Sequence, residues 1–91
     1  MKIKDGFVLR EVGGENIVVP VGQTAAFFHG MINLNDTGAF LWRFFSEEHT
    51  ADDAASALCM EYTVEKTKAR LHVDKFLQTL FDAGLLENYD I

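Results

Sequence analysis

The spacing of apolar and polar residues changes rhythm along this chain, and each change marks an element. In FVLREVGGENIVVPVG, Phe7 to Gly22, residues Phe7, Leu9 and Val12 give an imperfect two-residue alternation, and Ile17, Val18 and Val19 add β-branched side chains. Such residues fit a half-buried pleated surface. Gly13-Gly14 suits a tight turn that needs positive φ, so the segment predicts a β-hairpin. Pro20 has no N–H for a ladder and marks a strand end or edge. Gln23 to Gly30 keeps neither rhythm and reads as a loop or as a short helical turn packing Phe27 or Phe28. MINLN then alternates again. Ile32 and Leu34 share one face, Met31, Asn33 and Asn35 the other, which predicts a third strand.

Directly after it the period becomes helical. Asn35 or Asp36 is placed to cap a first helix by accepting a hydrogen bond from a free N–H of its first turn. Leu34, just outside an Asn35 cap, is placed to staple against Ala39. The helix is expected to run to about Phe45. Five of the six residues Phe40 to Phe45 are apolar, which fits a central core helix with Trp42 buried; a partner-binding aromatic patch is the alternative. Thr50 and Asp53 resemble a capping box. Ala51, Ala54, Ala55, Leu58, Cys59 and Tyr62 then recur at helical spacing. A third helix is expected from Val64, after a Thr63 cap, to Ala83, with Gly84 as its stop. Its core stripe is Ala69, Val73, Phe76, Leu80 and Ala83. Lys66, Arg70 and Leu77 flank that stripe on one side, Lys68, His72 and Lys75 face solvent opposite, and Leu71 and Phe81 fall outside it. In GLLENYDI, Leu85 and Leu86 are expected to pack.

Three strands followed by three helices predict an α+β fold: a winged-helix-like domain in which a three-stranded antiparallel sheet precedes a three-helix bundle. The length of 91 residues fits one domain, taken here as residues 1–91. At 48% the apolar content is too high for disorder. A net charge of −6, from 14 acidic and 8 basic residues, opposes non-specific nucleic-acid binding. Half of the basic residues nevertheless fall together, as Lys66, Lys68, Arg70 and Lys75. The one cysteine, Cys59, excludes an internal disulfide. No run approaches the roughly 18 to 20 apolar residues of a membrane span, and no apolar leader follows Met1. A reducing, cytoplasmic setting and no membrane partner are expected.

Catalytic chemistry is sparse. His29, His49 and His72 lie far apart and lack metal-ligand spacing. Cys59 sits on the apolar stripe of the second helix, as a structural thiol does. The GGEN turn precedes no helix that would cradle phosphate. No acid, base and oxyanion site assemble, so no catalytic residue, metal site or cofactor is expected, and binding is the function left. A strand edge and a helix with a basic N-terminal half are the two features that offer it.

Three segments, FVLREVGGENIVVPVG, GMINLNDTGAFLW and EYTVEKTKARLHVDKFLQTLFDAGLLE, resemble in that order the PqqD-like family, comprising coenzyme PQQ synthesis protein D and related precursor-peptide recognition domains. The resemblance spans Lys4 to Glu87 and is most specific at Leu34 to Trp42, the family's LN-x-T-G-x-x-x-W signature. A second match is Val73-Asp74-Lys75-Phe76-Leu77 followed by Gly84-Leu85-Leu86. The family carries Asp-Val where this chain has Val-Asp, so Asp74 lies beside the expected place. The resemblance implies recognition of a ribosomally made precursor peptide, whose leader adds to the third strand in a cleft beside the third helix. It also implies a partner enzyme that modifies the peptide, often a radical S-adenosylmethionine protein. On this reading Met31, Ile32, Asn33 and Leu34 supply the edge, Arg70, Asp74, Leu77 and Phe81 are candidates to line the cleft, and Lys66 and Arg70 favour an acidic leader. A solvated helix flank is the alternative for the helical residues. The competing function is a winged-helix nucleic-acid-binding or regulatory protein, with the third helix in the major groove. Against it, the basic residues of that helix share no single face.

Overall fold

The computed structural model describes residues 1–27 and 30–87. Strands β1 (Phe7–Val12) and β2 (Glu15–Pro20) form the expected hairpin. Val12 pairs with Glu15 across Gly13 and Gly14, whose φ values of 59° and 82° are the left-handed pair that matches strand twist in a two-residue turn. Strand β3 (Ile32–Leu34) pairs antiparallel with β2, with Asn16 opposite Leu34 and Val18 opposite Ile32. The order is β1-β2-β3. Central Val18 is buried, whereas β1 and β3 are edges.

Between β2 and β3 the chain makes a 3-10 turn, Gly22–Ala26. Phe27 follows it and is 84% exposed, so the packing expected of Phe27 does not form. The turn's residues contribute nothing buried for it to pack on. Phe28, the other candidate, lies outside the described residues, as does His29.

Helices α1 (Asp36–Phe44), α2 (Ala51–Glu61) and α3 (Lys66–Asp82) complete the fold. Asn35 is the cap of α1: its Oδ1 accepts from the Gly38 N–H at 2.8 Å. Thr50 caps α2, its Oγ1 accepting from the Asp53 N–H at 3.1 Å. α3 starts two residues later than the spacing predicts. The Val64 N–H is bonded to the Tyr62 carbonyl at 2.9 Å, which bends the chain there. Val64 packs half-buried against the core, and Glu65 occupies the cap position without a side-chain bond. At the other end Gly84, at φ 80°, donates to the Phe81 carbonyl, and Leu85 donates to that of Leu80. This Schellman closure also joins the two leucines, both fully buried.

The core gathers Val18 from the sheet, Leu41, Trp42 and Phe45 from α1 and its end, Ala51, Ala54, Ala55 and Leu58 from α2, and Ala69, Val73, Phe76, Leu77 and Leu80 from α3. Trp42 is 4% exposed, a core residue and no surface patch. Phe45 stacks on Phe76 at 6.4 Å between ring centres, joining the end of α1 to α3. The segment before β1 is bound in as well. Ile3 bridges Leu86, and Lys4 donates to the Leu85 carbonyl at 2.8 Å, so the strand-like ends of the described chain close over the core. Among the described residues no helix is long and apolar enough to cross a membrane.

Candidate functional site

α2 packs along one flank of α3, and on the other flank a cleft of about 360 Å³ opens between α3, β3 and the start of α1. Its floor is apolar: Leu34, Leu41 and Phe76. Asn33, Asn35 and Thr37 form one wall, and His72, Lys75 and Thr79 form the other. The α3 members, His72, Lys75, Phe76 and Thr79, stand at i, i+3, i+4 and i+7, the spacing of one helical face. Phe76 belongs to both the core and the cleft because it sits where the two faces meet.

The strand-to-helix junction shapes the opposite wall. Asn35 ends β3's course and starts α1, its Oδ1 taken by the Gly38 N–H and by the Thr37 hydroxyl at 3.2 Å. A Cβ on Gly38 would stand 3.1 Å from that Oδ1 and 3.2 Å from the Leu34 Cβ. Glycine therefore lets the first turn of α1 close tightly on Leu34. On the facing wall the Thr79 hydroxyl donates to the Lys75 carbonyl at 2.9 Å.

Beside the cleft runs the outer side of β3. Among the described residues its backbone pairs only with β2. At about 3.3 Å per residue this edge is roughly 10 Å long. An unpaired edge is a template for another strand. β1 has an outer edge too, but the cleft takes no lining residue from it.

Of the nine residues proposed from sequence, the structure brings two, Asn33 and Leu34, into the cleft lining. Ile32 sits half-buried on the inner face of β3, and Met31, just before the strand, is 69% exposed. The five helical residues go elsewhere. Lys66 Nζ donates to Ser56 Oγ of α2 at 3.1 Å. Arg70 is ion-paired with Asp52 of α2, and its Nε donates to Asp74 Oδ1 at 2.9 Å. The hydrogen bond to Asp74, then the charges of both carboxylates, hold the Arg70 guanidinium above its ordinary pKa despite some desolvation. Leu77 is fully buried in the core. Phe81 is half-exposed and shares the flank of Arg70 and Asp74. For Lys66 and Arg70 the physical reason is the packing of α2 on the flank that the spacing alone turns toward β3. Conversely His72 and Lys75, assigned to open solvent, line the cleft together with Thr79. The helical spacing of the cleft set was visible in the sequence, but spacing alone does not say which flank a strand meets.

Formal charge is distributed unevenly. Among the described residues no Asp or Glu lines the cleft, whereas Lys75 and His72 do. Among the described residues no group of three or more His, Cys, Asp or Glu is placed to hold a metal ion. Cys59 is half-buried on α2 and lines neither wall.

Comparison with known proteins gives the class. The family described as coenzyme PQQ synthesis protein D (PqqD) matches residues 8–86. The chain belongs to this family. Two solved structures share its fold. One is TbiB1 in complex with the TbiA(beta) leader peptide, 24% identical over all of both chains with a TM-score of 0.78. The other is a lasso peptide synthetase B1 complexed with the leader peptide, 21% identical with a TM-score of 0.71, covering 92% of this chain and 93% of that one. No curated protein matches the chain in sequence.

Proposed function

We propose that this chain, acting as one domain over residues 1–91, binds the leader of a ribosomally made precursor peptide as an added strand on β3 and holds it for a modifying enzyme. One observation carries the reading: the outer edge of β3, unpaired among the described residues, lies directly beside a cleft with an apolar floor. Strand addition needs both. Free backbone groups supply main-chain hydrogen bonds, and pockets for alternate side chains set register and selectivity. A peptide adding to β3 turns every second side chain toward Leu34, Leu41 and Phe76, on the same side as Ile32 and Leu34 themselves. The two similar structures support the reading, since each holds a leader peptide on the same fold.

The binding residues we propose are therefore Met31, Ile32, Asn33 and Leu34 at the edge, with His72, Lys75, Phe76 and Thr79 on α3. The domain would contribute no catalytic group. The chemistry would belong to the partner, a radical S-adenosylmethionine protein or another peptide-modifying enzyme, in the cytoplasm. With so short an edge, a dissociation constant on the order of micromolar or somewhat tighter is expected. Nothing among the described residues favours nucleic-acid binding: Lys66 and Arg70 are engaged by α2, which leaves Lys68 and Lys75 of the cluster on a chain of net charge −6.

The test is titration of the isotope-labelled chain with short peptides encoded beside its gene, and separately with duplex DNA, following backbone amide shifts. Shifts are expected at residues 31–34 and at His72, Lys75, Phe76 and Thr79, with peptide alone. Peptide shifts restricted to β1 and β2, or shifts with DNA that vanish steeply with salt, would overturn the proposal.

A further inference from the structure

We infer that the cleft selects peptides bearing a carboxylate, and that Lys75 is the residue that reads it. This rests on strand addition to β3 and names the chemistry of the peptide that adds.

The four basic residues of the Lys66 to Lys75 cluster have different fates: Lys68 is exposed and is not among the cleft-lining residues. Lys66 and Arg70 are taken by α2, through Ser56 and Asp52, and Arg70 also by Asp74. The Lys75 ammonium has no hydrogen-bond or ion-pair partner among the described residues, and it stands on the cleft wall. The carboxylates nearest to it in sequence are committed elsewhere. Asp74 accepts from Arg70 on the opposite flank, and Asp82, two turns on, accepts from Gln78 at 2.8 Å. The chain as a whole carries −6, yet among the described residues no acid lines its cleft. The rest of the polar lining is neutral hydrogen-bonding groups and His72.

Geometry then defines a two-part pattern. An added strand sends alternate side chains inward. One inward position meets the Leu34, Leu41 and Phe76 floor and calls for an apolar residue. A neighbouring inward position, two residues along, reaches the α3 wall, where an unpaired ammonium on a flexible stem favours Asp or Glu. A bound strand covers that wall and lowers the local dielectric, which strengthens the pair relative to one in open water. Because no acid among the described residues lines the cleft, a peptide with Lys or Arg at that position meets the Lys75 charge as repulsion, so the site discriminates as well as attracts. Replacing the peptide's carboxylate by its amide is expected to weaken binding by about 5-fold.

The experiment is selection of short random peptides by the whole immobilised chain, run in parallel for the native protein, Lys75→Glu, Lys75→Gln and the control Lys66→Glu. Both positions are exposed, and circular dichroism checks each variant's fold. The native pool is expected to enrich Asp or Glu two residues from an apolar residue. Lys75→Gln should lose the acidic preference, Lys75→Glu should invert it toward Lys or Arg, and Lys66→Glu should keep it. An apolar motif without acidic enrichment, or acidic enrichment that survives Lys75→Glu, would overturn the inference while leaving strand addition standing. A native pool with no shared motif would overturn strand addition and the inference with it.

Discussion

At the scale of single residues, Asn35 ties the fold to the site. Its Oδ1 caps α1 while its side chain forms part of the cleft wall. Asn35→Ala should cost about 1 kcal/mol of stability, measured by urea unfolding, because it removes the acceptor for an orphan helix N–H. Asp36→Ala should cost less, since Asp36 contributes only its charge near the helix N-terminus. Arg70 offers a contrast with Lys75. Its two ion pairs involve half-exposed or exposed partners, and such pairs contribute about 0 to 1 kcal/mol. Arg70→Ala should therefore shift stability by no more than that and leave peptide affinity unchanged. A large loss of peptide binding in Arg70→Ala would place the peptide on the α2 side of α3 and contradict the cleft assignment.

At the scale of elements, much of the fold was legible because its signals are local. Gly13-Gly14 fixed the hairpin turn, Asn35 and Thr50 announced two helix starts, and Gly84 closed the third helix, each through contacts within a few residues. What stayed hidden is non-local. The apolar spacing of α3 identified Ala69, Val73, Phe76 and Leu80 as core but left Leu77 on the flank, although it is fully buried. Leu77 lies next to the stripe, on the flank of Arg70, and its burial in the core is decided by tertiary packing that spacing along one helix does not carry. The same non-local information decides which flank of α3 faces the cleft: choosing between the Arg70 flank and the His72 flank requires knowing where α2 and β3 sit. Leu77→Ala should cost about 2 to 5 kcal/mol, and Trp42→Ala about 3 to 5 kcal/mol, as cavities in a packed core do. Thermal melts monitored by far-ultraviolet circular dichroism would check both. A folded Leu77→Ala protein of native stability that fails to bind peptide would instead make Leu77 a cleft residue.

At the scale of the whole molecule, an acidic chain carries a cleft that no acid lines among the described residues, beside a strand edge that the described sheet order leaves open. Electrostatics of this kind acts through a few groups at the rim. Raising salt should therefore weaken peptide binding only mildly, against the orders of magnitude expected of a protein that displaces counterions from DNA. The central claim is that a peptide becomes the fourth strand of the sheet at β3, and backbone hydrogen exchange reads this most directly. The measurement compares amide exchange of the free chain with that of the chain saturated by a binding peptide. Amides within Ile32–Leu34 that point away from β2 should slow markedly on binding, while those on the outer side of Phe7–Val12 keep their free rates. Unchanged exchange along Ile32–Leu34 with peptide bound, or protection that appears on β1 instead, would contradict the account.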